Sequence, residues 1–373
     1  RGGSMLALAC SALPRSIHKR LANRRLDAIE PRRLGLHPLP ELASLYRTWR
    51  EGALSQSILY ERNKRFQSAI PSRAIENADV VIGFDTSSWI LAERCREAGV
   101  PFVLDQSACH PNSRIAAYNS IRDAFPQWAS DVHIRLPEML RAEQIEHDLA
   151  DVVVAASSFT IRTLVENGVA AHKIFLNAYG VDIDRFLIKP LHGERPLRFV
   201  FLGAISAQKG VPLLVEAWRR LGPRSAQLWL VGPVEDRVRR LIPALPGLQI
   251  VGPVVHSEVP RILQQCDVLV FPSYFEGFGL VILEAMACGL PVVATNATIA
   301  PDLFEDGSGG WIIPVGDIGA LADRLESCLR NPHGAREMGQ VARRIAERHV
   351  WENYGDRWVQ VLDRFQHAGA LRT

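Results

Sequence analysis

The sequence predicts an α/β protein of two facing, doubly wound, parallel-sheet domains with a cleft between them. Three observations carry that expectation. Short runs of Val, Ile and Leu alternate with helix-length segments along the chain. The alternation lapses once, around Ile188 to Pro196, and then restarts. The length, 373 residues, suits two domains of about 100–200 residues each.

In the first series, Asp79-Val80-Val81-Ile82-Gly83-Phe84 reads as a buried strand and Trp89–Gly99 as a helix. Pro101-Phe102-Val103-Leu104-Asp105 and Asp151-Val152-Val153-Val154-Ala155 are further strands. Ser157 or Ser158 caps a helix that runs to about Asn167 and Gly168, and Lys173–Leu176 is a last strand. Pro190, His192, Gly193, Glu194 and Pro196 form a linker.

The second series opens with a strand over Leu197–Leu202, a helix over Pro212–Leu221 and a strand over Ala226–Val231. Leu248–Val251 and Val268–Phe271 are strands on either side of a helix over Glu258–Gln265. A helix over Leu280–Cys288, strands over Pro291–Ala294 and Trp311–Val315, and helices over Ile318–Arg330, Ala335–His349 and Trp351–Gln366 complete it. The expected domains are 1–190, 191–350 and a terminal helix in 351–373 that crosses back. Ligands of such folds sit at the carboxyl ends of the strands. The chain opens Arg1-Gly2-Gly3-Ser4 instead of an apolar strand, so an initial strand is expected to be missing from it.

Composition narrows the function classes. Hydrophobic residues are 47% and charged residues 22%, an ordinary globular balance. A net charge of +3, with aromatics at 8% and not interleaved with basic residues, argues against nucleic acid. Arg15, Lys19, Arg20, Arg24, Arg25, Arg32 and Arg33 crowd one stretch against Asp27 and Glu30. That stretch is either a solvated helix face or a patch for anionic lipid headgroups or a pyrophosphate-linked acceptor. The six cysteines show no CxxC spacing, which fits a reduced, cytoplasmic protein. No apolar run reaches the roughly 18 residues of a spanning helix.

The densest chemistry lies in Phe271-Pro272-Ser273-Tyr274-Phe275-Glu276-Gly277-Phe278-Gly279-Leu280. A strand end passes through a loop whose glycines let backbone approach a ligand, and then into a helix start. That start carries roughly +0.5 elementary charge and open N–H groups, which suits a diphosphate. Glu276 and Glu284 can face the same cleft, where a carboxylate can take two hydroxyls of a sugar.

Glu276 and Glu284 stand at the Glu-x7-Glu spacing of family 4 glycosyltransferases, and most of the chain resembles that family. Phe201-Leu202-Gly203 with Lys209-Gly210, Ala150-Asp151-Val152-Val153 with Ser157-Ser158, Gly180-Val181-Asp182 with Phe186, and Trp351-Glu352-Asn353-Tyr354 extend the likeness. The resemblance implies a GT-B fold and retaining transfer from a UDP- or GDP-sugar to a saccharide or lipid-linked acceptor of the envelope, with no metal and no cofactor. Glu284 would hold the ribose hydroxyls, and Glu276 the transferred sugar. Gly277, Phe278, Gly279 and Leu280 would offer backbone N–H groups. Lys209, beside Gly203, would neutralise the departing diphosphate. The backbone near Val254 would meet the nucleobase, and His110 would lie near the donor sugar or serve structure or the acceptor.

One departure concerns charge. The family often carries Arg just after the glycine of the second domain's first strand, and here that position is Ala204, with Ser206 and Gln208 nearby. A sugar-nucleotide-binding protein with little transfer therefore stays open, and an epimerase or phosphorylase ranks lower. Asp182-Ile183-Asp184 matches an Asp-x-Asp metal motif, but it sits in a turn, so no metal is expected. Asp105 reads as a strand-end residue before a catalytic base, and His256 as a cap for the next helix.

Overall fold

The structure, a computed structural model, describes residues 38–51, 55–188, 195–223 and 225–369. The Arg15–Arg33 patch and linker residues Pro190, His192, Gly193 and Glu194 lie outside the described residues. Two compact units, residues 1–75 and 76–373, are taken separately.

In the first unit, α1 (Pro38–Glu51) and α2 (Gln56–Ser68) pair, and Arg62 reaches Glu41 at 3.5 Å. Ser55 caps α2 by accepting from the Ile58 N–H at 3.3 Å. A short α3 (Ser72–Glu76) follows.

The second unit holds two parallel sheets. In the first, β1 (Val81–Phe84), β2 (Phe102–Gln106), β3 (Val152–Ala155) and β4 (Ile174–Leu176) lie side by side in sequence order. The connections are α4 (Trp89–Ala98), α5 (Pro111–Ala124) with α6 (Pro137–Leu149), and α7 (Ser158–Glu166). All five side chains of β2 are buried, the mark of a strand covered on both faces. Gly99, with φ 65°, ends α4 in the left-handed region where a side chain is disfavoured. Ser157, not Ser158, caps α7 by accepting from the Thr160 N–H at 3.1 Å.

The second sheet contains β5 (Leu197–Leu202), β6 (Ala226–Val231), β7 (Leu248–Gly252), β8 (Val268–Phe271), β9 (Val292–Thr295) and β10 (Gly310–Ile313). Their spatial order is β10-β9-β8-β5-β6-β7, all parallel. The winding reverses between β5 and β8, so the loops that leave these two strands open onto one crevice. The helices are α8 (Val211–Leu221), α9 (Asp236–Arg239), α10 (Val259–Gln264), α11 (Leu280–Ala287), α12 (Ala300–Leu303), α13 (Ile318–Arg330) and α14 (Pro332–Ala346). Phe199, Phe201, Trp218, Leu228 and Leu230 are fully buried at the centre of this core.

After α14 the chain returns to the first sheet as α15 (Trp351–Gly369). Val361 is buried against Val103, Val152 and Val154. Arg357 donates to Asn177 Oδ1 at 2.9 Å and to the Ala178 carbonyl at 2.6 Å. The return passes Gly180, where a Cβ would overlap the backbone at Trp351. Among the described residues no helix is long and apolar enough to cross a membrane.

Candidate active site

The crevice is assembled by two loops that hold each other. Gly210, at φ 74°, starts α8 against Pro272, and a Cβ there would overlap the Pro272 carbonyl. This close approach lets the Gln208 carbonyl accept from the Tyr274 N–H at 2.9 Å, with Ser273 Oγ 3.3 Å away. The loop after β5 is thereby tied to the loop after β8, and Lys209 is carried over Glu276.

Lys209 Nζ donates to Glu276 Oε1. Ser273 Oγ approaches the same oxygen at 2.6 Å, closer than its other acceptors. One hydroxyl proton can serve one acceptor at a time, so the short contact marks the carboxylate as its partner. Glu276 is 8% exposed, and its N–H donates to the Ala297 carbonyl at 2.9 Å. A nearly buried carboxylate is thus held by one cation and one hydroxyl.

The following residues turn into α11. Gly279, at φ 92°, occupies the N-cap position, and no side chain caps the helix. The first N–H groups and the positive end of the helix dipole face the crevice mouth, where Leu280 is partly exposed. Phe278 is buried against Tyr179, with ring centroids 5.0 Å apart. Gly277 meets the first sheet. Its carbonyl accepts from Ser157 Oγ at 2.7 Å and Thr160 Oγ1 at 3.2 Å, and a Cβ on it would overlap the Ser107 carbonyl. Gly277 is therefore required where the two sheets' loops touch, a reason the sequence pattern alone did not give.

Glu284 lies just over one turn into α11, and His256 Nε2 sits 3.1 Å from its Oε1. This corrects the expectation that His256 caps the next helix. Residues His256–Glu258 form a 3-10 turn, Glu258 is the N-cap of α10, and no side chain caps that helix. The imidazole turns instead toward the carboxylate. Val254, in the same loop, is half-buried against the core. Gly203 ends β5 by donating to the Val231 carbonyl at 2.9 Å. Ala204 beside it is exposed.

The elements around the first sheet hold a buried polar cluster. His110 is the N-cap of α5, its Nδ1 accepting from the Asn112 N–H at 3.2 Å. Its ring stacks on His147, 5.2 Å away, and its Nε2 is buried with no hydrogen-bond partner among the described residues. Burial, reinforced by Arg114, pushes the His110 pKa down to about 4. Burial likewise takes His147 to about 3, so both rings are neutral at pH 7. Among the described residues, no hydrogen bond or ring contact joins His110 to Lys209, Glu276 or Glu284.

Helix α6 brings in acids that the sequence pattern did not single out. Glu146 accepts from the N–H groups of Thr86 and Ser88, each at 2.7 Å, and pins a turn in which Thr86 has φ 67°. Burial raises Glu146 to about 8. Glu143 is shared by Arg114 and, at 2.6 Å, Arg135. Asp105 is buried near Asp85, and desolvation and then that neighbour raise it to about 6. Asp182 Oδ1 accepts from the Arg185 N–H at 3.0 Å, which gives it a turn-forming role.

With this geometry in place, the kinship is clear. Residues 196–331 match the family model described as "Glycosyl transferases group 1". That stretch spans both loops, Lys209, Glu276 and Glu284. Over residues 196–331 the chain resembles a group 1 glycosyltransferase domain, and the chain is a transferase enzyme.

Sequence relatives point the same way as the group 1 domain. The chain is 27% identical over 279 residues to the putative colanic acid biosynthesis glycosyltransferase WcaL of Salmonella typhimurium, covering 68% of this chain and 69% of that protein. It is 30% identical to the D-inositol 3-phosphate glycosyltransferase of Paenarthrobacter aurescens, covering 58% of this chain and 59% of that protein. The WcaL protein of Escherichia coli is matched over 66% of its length. Among solved structures, Anabaena Alr3699/HepE in complex with UDP-glucose superposes with a TM-score of 0.64 at 20% identity, covering 82% of each chain. Sucrose-phosphate synthase of Thermosynechococcus elongatus gives 0.65 at 21% identity, over 83% of this chain and 79% of that one. The fold is GT-B: two parallel-sheet α/β domains.

Proposed function

We propose that the chain transfers a sugar, with retention of anomeric configuration, from a UDP- or GDP-linked donor to a saccharide or lipid-linked acceptor in envelope polysaccharide synthesis. The observation that carries this reading is the meeting of Lys209, Glu276 and the uncapped start of α11 at the point where the winding of the second sheet reverses. The names of the WcaL relatives support the polysaccharide setting, and the UDP-glucose complex of HepE supports the donor class.

In this reading Glu284 takes the ribose diol, and the loop at Val254 takes the base. Gly203 and the N–H groups of residues 277–280 take phosphate and sugar. Glu276 takes hydroxyls of the transferred sugar. The bond from C1 to the phosphate oxygen breaks, with its electron pair left on phosphate. Lys209 and the helix start stabilise that charge where it develops. The acceptor oxygen bonds C1 on the same face, and its proton passes to the departing phosphate. His110, neutral at pH 7, lines the donor-sugar side. The positive charge at the phosphate comes from Lys209 and backbone dipoles, so the reading calls for no metal and no cofactor. The Arg15–Arg33 run adds a peripheral hold on anionic lipid at the cytoplasmic face.

Saturation-transfer NMR with a panel of UDP- and GDP-sugars, followed by the anomeric coupling of the product, tests this reading. Binding of one donor class and a product of unchanged anomeric configuration are expected. An inverted product removes retention, and a panel without binding removes the donor assignment. Ala204 favours a second reading, a sugar-nucleotide-binding protein with little transfer. Tight donor binding without turnover on any acceptor tried would select it.

A further inference from the structure

The contact between His256 and Glu284 was not expected from the sequence and is not used by the reaction as derived above. His256 Nε2 lies 3.1 Å from Glu284 Oε1, and Glu284 makes no other side-chain hydrogen bond among the described residues. The histidine is itself held. Its carbonyl accepts from Arg185 Nη2 at 2.6 Å, and its ring meets Phe186 edge-on at 6.4 Å. Arg185 lies over the Phe186 ring, 5.5 Å from its centroid. A carboxylate has about four lone-pair sites, so one donor on Oε1 still leaves room for two hydroxyls.

We infer that His256 is a positioning residue of the nucleotide site, which fixes the Glu284 carboxylate for the ribose diol. The inference rests on the reading of Glu284 given above. The His256 side chain is 62% exposed, so the bond adds little to the stability of the free protein. A bound nucleotide covers the pair and displaces water, and the same bond then counts for more. The effect belongs in nucleotide affinity and not in folding.

Calorimetric titration with UDP and, in parallel, GDP tests this. H256A should weaken the nucleotide that binds about five- to tenfold, the net scale of one ordinary hydrogen bond, with the melting temperature of the free protein unchanged. H256Q, whose amide N–H2 can still donate, should recover most of the loss. In an E284A background H256A should add no further loss, and 2′,3′-dideoxy-UDP should bind wild type and H256A alike. Unchanged affinity in H256A beside weakened binding in E284A would overturn the inference and keep the reading of Glu284. Unchanged affinity in E284A would remove that reading and the inference with it. An equal loss for the dideoxy nucleotide would show that His256 acts elsewhere on the ligand.

Discussion

Lys209 and Ser273 converge on the same oxygen of Glu276, one from the loop after β5 and the other from the loop after β8. The two loops owe their approach to Gly210, which lies against the Pro272 carbonyl. In the proposed reaction, a diphosphate arriving at Lys209 would compete with Glu276 for the ammonium, and the sugar hydroxyls would meet the carboxylate this releases.

Lys209→Ala should therefore act mainly on turnover. Removing one preorganised charge from a site of this kind costs roughly 10²–10³ in rate. Steady-state transfer and donor titration together check this: kcat should fall much more than donor affinity.

Ala204 marks a position where a cation can be added. It is exposed at the end of β5, next to Gly203 and in the same loop as Lys209. A204R should tighten nucleoside diphosphate binding about tenfold, the order of one charge-assisted hydrogen bond of about 1.5 kcal/mol. Calorimetry at two salt concentrations is the check, with the gain shrinking as salt rises.

Gly277 should tolerate no side chain. A Cβ there overlaps the Ser107 carbonyl, so G277A must part the two loops or shift the backbone. Overpacking of this kind costs about 1–3 kcal/mol, read as a lower melting temperature alongside loss of transfer. Gly279→Ala should be disfavoured for another reason, its φ of 92°.

The stacked pair His110 and His147 gives the stability a pH dependence. Their folded pKa values, about 4 and about 3, lie below the ordinary 6.5. Below pH 6.5 the unfolded chain binds more protons than the folded one, so stability falls as pH drops from about 6.5 toward 4. H110N keeps an N-cap acceptor and removes one titrating ring, so it should flatten that fall. Glu146 has the opposite sign. Its raised value, about 8, makes stability decline as pH climbs from about 4.5 to 8. Denaturant midpoints across pH 4 to 8 would separate the two.

Much of the second sheet was legible from its residues. Leu197–Leu202, Ala226–Val231, Val268–Phe271 and Ile318–Arg330 were read with the boundaries the structure gives, because continuous apolar runs or a strong helical stripe mark them. Helices α5 and α6 were not read. Their buried faces carry Arg114, Glu143, Glu146 and His147, so an apolar stripe does not betray them. At the site, the Glu-x7-Glu spacing pointed to Glu276 and Glu284, but not to what holds each. Ser273 is three residues before Glu276, a local signal that was available. The His256 contact joins a turn to a helix 28 residues on and depends on how β7 and β8 are arranged, which no local pattern encodes. The role of Gly277 is likewise a long-range steric fact.

The central claim is that Lys209, Glu276 and Glu284 form one donor site. Its most direct test is the rate at which nucleoside diphosphate is released from a panel of UDP- and GDP-sugars by wild type, K209A, E276A and E284A. The account predicts release from one donor class by wild type and a loss of about 10²-fold or more in K209A and E276A. It also predicts weakened donor binding in E284A. Release at wild-type rates in all three variants, or from none of the donors by any of the four proteins, would contradict it.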